Sequence, residues 1–146
     1  MATEAKLILT SDVSGDPTNV DTGFIQLKKA GKSSDSPLDQ TTGLGRVHLR
    51  STTNKVLLAA NAEGNDLAAK VYIINKSTDA SLYVTITINA QTIGKLYGGD
   101  FMFIPWSQTD TSASIEVAAT NWTSSTGDIP VEYALFHEDT DYLTNA

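Results

Sequence analysis

His48 and His137 are the only imidazoles in the chain. Each stands among apolar neighbours, in Val47-His48-Leu49 and Leu135-Phe136-His137, and neither has a partner at a metal-ligand spacing such as His-x-x-x-His. Both read as core-edge or surface histidines. Asp12, Asp16 and Asp21 lie close together, but a calcium loop of the EF type needs ligands at alternate positions and a closing glutamate, and this stretch has neither. A solvated turn is the better reading. Glu138, Asp139 and Asp141 offer paired carboxylates, yet glycoside hydrolysis needs two carboxyl groups at a fixed separation, which a polar tail cannot hold. The glycine pair in Thr41-Thr42-Gly43-Leu44-Gly45-Arg46 lacks the third glycine and the Lys-Ser/Thr of a phosphate loop and reads as a turn. No Gly-x-Ser-x-Gly elbow occurs; a Ser-His-Asp set assembles in space, so order alone does not decide against one. Cysteine is absent, which removes thiolate nucleophiles, disulfides and cysteine zinc sites together. The expectation is a protein without catalytic residues, metal or cofactor.

Aromatic residues are the sharper candidates. A loop tryptophan stacks on a sugar ring or anchors a protein interface, and Trp106 and Trp122 suit either role; the competing reading is that both cap the ends of a core. Phe101, Phe103 and Trp106, set against Met102 and Ile104, make one strand apolar on both faces, so one face fills the core while the other needs a second cover. Phe101, Phe103, Trp106, Trp122 and Tyr97 are therefore the candidate interface residues.

The elements that must position them are strands. In Leu82-Tyr83-Val84-Thr85-Ile86-Thr87-Ile88-Asn89 the apolar residues fall on one side and the polar ones on the other, as period-two geometry demands. Runs at 68–75 and 98–105 flank it, giving three strands in succession. Further strands are expected at 5–10, 22–28, 47–50, 55–60, 114–120 and 129–137, with Ser51-Thr52-Thr53-Asn54 joining 47–50 and 55–60 as a hairpin. Helix competes only over Val56 to Ala69, where Asn61, Gly64 and Asn65 interrupt any helical stripe. About eight strands at this spacing predict an all-β fold, an antiparallel β-sandwich of jelly-roll type. Its core is expected to hold Val71, Ile73, Leu82, Val84, Ile86, Ile88, Ile115, Val117, Val131, Tyr133 and Leu135.

At 146 residues the chain suits one domain, 1–146, with a polar loop near 28–40 that has little to bury and orders only against a neighbour, and an acidic tail at 138–146. The net charge of −7 would repel a phosphate backbone, so nucleic acid is not an expected partner. No apolar run approaches the roughly 20 residues of a membrane helix, and no membrane partner is expected. The sequons Asn75-Lys76-Ser77 and Asn121-Trp122-Thr123 read as chance matches in a chain rich in Asn and Thr.

The order Lys70-Val71-Tyr72-Ile73-Ile74-Asn75-Lys76, then Gly94-Lys95-Leu96-Tyr97-Gly98-Gly99-Asp100-Phe101-Met102-Phe103-Ile104-Pro105-Trp106, Ile115-Glu116-Val117-Ala118-Ala119 and Val131-Glu132-Tyr133-Ala134-Leu135-Phe136 resembles small β-rich structural proteins of tailed bacteriophage virions. The resemblance covers residues 68–137. It implies a part of the particle: a capsid decoration or cement protein on the outer capsid surface, or a neck, tail or fibre component, with the major capsid protein or other virion proteins as partners and a virion localisation. It carries over no catalytic residue. A homo-oligomer is expected, a trimer ahead of a dimer on the resemblance. The contrasting class is a carbohydrate-binding adsorption module in which Trp106, Trp122 or Tyr97 stacks on glycans; such a site needs a coplanar aromatic platform open to solvent.

Overall fold

Valine, isoleucine, threonine and aromatic residues on a two-residue period leave the backbone one good way to bury its apolar side, as strands paired edge to edge. The computed structural model describes residues 40–41, 44–59, 68–107 and 113–137, and among these there is no helix. The strands are β1 (Gln40–Thr41), β2 (Gly45–Leu49), β3 (Lys55–Ala59), β4 (Ala68–Asn75), β5 (Tyr83–Ile88), β6 (Gln91–Tyr97), β7 (Phe101–Ser107), β8 (Ser114–Ala118) and β9 (Ile129–His137). The two-residue β1 and the five-residue β2 both pair with β9, so the described residues occupy eight strand positions in two antiparallel sheets. One sheet runs β2-β9-β4-β7 with β1 beside β9; the other runs β3-β8-β5-β6. This is the jelly-roll order, and the expected fold class holds.

The order follows from one long double-stranded ribbon wound on itself. β5 pairs with β6, β4 with β7, β3 with β8 and β2 with β9. In each pair the partners stand at similar distances from Asn89, as in Tyr83 opposite Tyr97, Lys70 opposite Pro105 and Gly45 opposite Tyr133. The ribbon therefore turns once, at Asn89-Ala90, and the remaining β4–β9 and β5–β8 pairings join its successive windings. Both turn residues have positive φ, 48° and 65°, the mark of a two-residue type I′ hairpin loop.

The windings press their inner faces together. Val71, Ile73, Val84, Ile115, Val117, Ile129, Val131 and Leu135 are fully buried, with Ile86, Leu49, Leu58, Leu82 and Leu96 beside them. All eleven residues expected in the core are there, Ile88 and Tyr133 only partly buried against it. Tyr133 lies over Gly45, its cross-strand partner, where any β-carbon would meet the ring at 2.7 Å.

Several expectations change. Segments 47–50 and 55–60 are not a hairpin, because β2 joins β9 and β3 joins β8 in opposite sheets. The stretch 98–105 does not begin as a strand: Tyr97 to Asp100 form a turn closed by the Asp100 amide on the Tyr97 carbonyl, with Gly99 at φ 86°, and the strand starts at Phe101. Gly45 and Arg46 belong to β2 instead of a turn. β6 was not expected at all; Ala in place of Gly at the second turn position hides the hairpin signal, and a register shift between Ile86 and Thr87 on the paired strand breaks the alternation. Where helix competed, residues 55–59 and 68–69 are strand. The expected strands at 5–10 and 22–28, the polar loop at 28–40 except for Gln40, and the tail at 138–146 lie outside the described residues.

Truncating the buried Ile86 should cost about 2–5 kcal/mol, while Val56→Ala, at a site half exposed, should stay within about 0.5 kcal/mol. Urea unfolding of both variants checks this. Ala90→Gly relieves a left-handed alanine and should raise stability by about 0.5–1 kcal/mol; an unchanged or lower midpoint would contradict the turn assignment.

Candidate functional site

The sandwich presents two broad faces and a rim of loops, and the candidate residues divide among them. β4, β7 and β9 bury Val71 and Ile73, Met102 and Trp106, and Val131 and Leu135 on their inner sides. Alternation then turns Lys70, Tyr72 and Ile74, Phe101 and Phe103, and Glu132, Ala134 and Phe136 outward. Register aligns them in rows: Phe103–Tyr72–Ala134, Phe101–Ile74–Glu132 and Pro105–Lys70–Phe136. Phe103 meets Phe136 across the middle strand in an edge-on contact, ring centroids 6.5 Å apart. The outer face of the five-stranded sheet is thus a half-buried aromatic and aliphatic surface. Tyr72 has its pKa raised, first by burial and then by the Glu132 charge. Arg46 of β2 donates from Nε (3.0 Å) and from Nη2 to Oε1 of Glu132, its cross-strand partner. Lys70 has no hydrogen bond or ion pair among the described residues.

The outer face of the four-stranded sheet has a different character. Tyr83 and Tyr97 sit 5.3 Å apart with their planes tilted by 54°, and the Lys95 ammonium lies 4.3 Å from the Tyr83 ring centre. Thr85 shares a 2.6 Å hydroxyl contact with Thr120. Two tilted rings, one of them under a cation, do not form the coplanar platform that sugar stacking requires.

Of the five interface candidates, only Phe101 and Phe103 share a face. Trp106 is on the opposite side of their strand with Met102 and Ile104; it is 5% exposed, and its indole N–H reaches Oδ1 of Asn89 at 3.3 Å. The grouping of Trp106 with Phe101 and Phe103 therefore fails on strand parity. Trp122 packs against the core from the β8–β9 loop and donates to the Gly127 carbonyl at 2.8 Å. Both indoles close ends of the core. Tyr97 is in the other sheet, carried there because the chain crosses at Gly98–Asp100. Tyr72, Ile74 and Phe136, which complete the aromatic face, were not among the candidates: alternation puts each on one side of its own strand, but only the β7–β4–β9 pairing shows that those sides adjoin Phe101 and Phe103.

One group of loops is tied together by side chains. Asn75 is wholly buried; its Nδ2 donates to the carbonyls of Leu82 (3.1 Å) and Leu96 (2.9 Å), and its Oδ1 accepts from the Ser77 amide at 2.9 Å. Asn121 similarly donates to the Ser81 carbonyl and accepts from the Tyr83 amide. Both sequon asparagines thus have their side-chain amides engaged. A β-carbon at Gly98 would stand 2.2 Å from the Asp79 carbonyl oxygen, so this turn admits only glycine. Asp79 accepts from the hydroxyl and amide of Ser81, which holds its carboxyl below the usual carboxylate range. On the rim beside β2, Arg50 grips Asp128 through two 2.8 Å hydrogen bonds, which lower the Asp128 pKa and raise that of Arg50. His48 is exposed, with Nδ1 3.9 Å from Asp128; His137 is buried. An open depression is lined by His48, Ser51, Thr53, Lys55 and Val56; Ser51 Oγ accepts from the Thr53 amide at 3.0 Å, and no hydrogen bond joins His48 to either hydroxyl among the described residues.

No group of metal-ligating side chains occurs among the described residues, and Asp12, Asp16, Asp21, Asp139 and Asp141 lie outside them. Six Lys and Arg stand against five Asp and Glu in the described residues, so the acidity of the chain belongs to the rest of it. No family model matches the chain, and no curated protein matches it.

Asn75→Asp replaces two donors with lone pairs facing two carbonyls in a dry site, and should cost about 3–5 kcal/mol at neutral pH. Chemical denaturation measures it; a loss under about 1 kcal/mol would mean that Asn75 is not the tie between these strands.

Proposed function

We propose that this protein is a non-catalytic structural protein of a virion, most simply a capsid decoration or cement protein that binds the outer capsid surface and stabilises it. The observation that carries the reading is the outer face of the five-stranded sheet, where Tyr72, Ile74, Phe101, Phe103 and Phe136 form an apolar surface on a sandwich whose core is already filled. Antiparallel sheets keep one face polar when water is its permanent neighbour. Aromatic residues concentrated on the second face serve contact with other protein. Two further considerations favour a virion. Residues 68–137 resemble small β-rich structural proteins of tailed phages, and jelly rolls recur among virion subunits, an analogy of fold. Attachment through many copies lets modest individual contacts sum to firm binding.

A place in the neck, tail or a fibre uses the same kind of surface and differs only in location. The carbohydrate-binding alternative has less behind it, since both tryptophans face the core and the Tyr83–Tyr97 pair is tilted.

Purified particles should contain the protein on the capsid surface, and capsids stripped of it should lose resistance to heat or low salt. Equally robust stripped capsids that fail to attach to cells would favour adsorption, and protein found only at the tail would move the assignment there.

A further inference from the structure

Lys70 and Glu132 give the aromatic face a symmetry of its own. They project from adjacent strands, Lys70 two residues to one side of the Tyr72–Ala134 pair and Glu132 two residues to the other. Strand rise and spacing put them roughly 14 Å apart. A twofold axis lying in the plane of the face and crossing the strands between Tyr72 and Ala134 exchanges the two positions. Lys70 of each copy then stands over the partner's Glu132, and both ion pairs form at once. The same axis is tilted about 20° from the perpendicular to the strands, so the strands of the two copies cross at about 40°, close to the roughly 30° of aligned sheet packing. Phe103 falls between the partner's Ile74 and the partner's Phe101. An axis along the strands would instead set Lys70 on the partner's Lys70.

Both charged groups have capacity for this contact. Lys70 has no partner within its own chain among the described residues. Both hydrogen bonds from Arg46 end on Oε1 of Glu132, and no hydrogen bond to Oε2 occurs among the described residues; the side chain is 13% exposed, so the partner's Lys70 must reach Oε2 through that opening. A cation left alone among Pro105, Phe136 and Tyr72 is costly to cover with an apolar surface, and a self-contact covers it with a carboxylate.

We infer that the outer face of the five-stranded sheet is the contact of a twofold homodimer, closed by reciprocal Lys70–Glu132 pairs around Tyr72. This rests on the reading of that face as a protein interface and names its occupant as a second copy of the chain. The contact is isologous, so it builds a dimer and not the trimer that the phage resemblance suggests.

Sedimentation velocity of the full chain over a range of concentrations tests it. The wild type should be a dimer at about 100 µM, and Lys70→Glu, which sets like charges opposite each other, should weaken association about tenfold or more. Adding Glu132→Lys to Lys70→Glu should recover association. Circular dichroism establishes that each variant is folded. Because the chain has no cysteine, a second test does not depend on the charge exchange: Tyr72→Cys, close to the axis, should be joined to its own copy by a short bis-maleimide, whereas Thr85→Cys on the other sheet should not. A monomer whose Tyr72→Cys thiol is unreactive would assign the face to the chain's own residues and overturn the inference; a trimer, or a dimer indifferent to Lys70→Glu and not cross-linked at residue 72, would also overturn it. A dimer that is absent from purified particles would sink the virion reading and leave the dimer standing, while a particle-bound monomer would do the reverse.

Discussion

A single buried amide holds the crossing points of the ribbon together. Asn75 closes β4, and its side chain joins the carbonyls that begin β5 and end β6, while its own amide bonds the Asp100 carbonyl and its carbonyl accepts from Gly99. Three strands and two turns thus meet at one side chain in which every polar atom is used. Neither aspartate nor leucine reproduces that pattern of two donors and one acceptor. The neighbouring Gly98, tight against the Asp79 carbonyl, fits the β6–β7 turn against the β4–β5 loop, so the sheet change that sends Phe101 and Phe103 to the five-stranded side depends on this corner.

From that constraint the two faces acquire separate roles. Once β7 is set beside β4, strand parity decides that Trp106 goes inward with Met102 while Phe101 and Phe103 go outward. Arg46 and Glu132 pair at the margin of the aromatic surface, while Lys70, within it, has no hydrogen bond or ion pair among the described residues. The near balance of charge in the described residues means that association of two sandwiches meets little net repulsion from them.

The all-β architecture and its core were legible because alternation is local: Val84, Ile86, Ile115 and Val117 declare their side of a strand within a few residues. Pairing was not, because a jelly roll joins residues such as Leu49 and Ile129 across most of the chain, and nothing in Ser51-Thr52-Thr53-Asn54 shows that the chain there changes sheets. β6 escaped for a smaller reason. Asn89-Ala90 makes the backbone of an Asn-Gly turn with a residue that pays steric strain to do so. The aromatic face was half visible: Phe101 and Phe103 were found from their own strand, but Tyr72, Ile74 and Phe136 gain meaning only once β4 is seen between β7 and β9. Trp106 shows the opposite limit, since a large indole looks the same in a sequence whether it fills a core or a partner's pocket.

The ribbon's open end also decides how the sandwich bears load. Gln40 faces His137 across β1 and β9, so the flanking parts of the chain leave from adjacent points. Tension applied there pulls an antiparallel pair apart from its end, breaking ladder bonds one after another in place of shearing many together. The peel would run from β1 into β2–β9 and work inward toward Asn89. A sandwich of this kind is mechanically soft when pulled at Gln40 and His137 and stiff when pressed across its sheets, where the interlocked core resists.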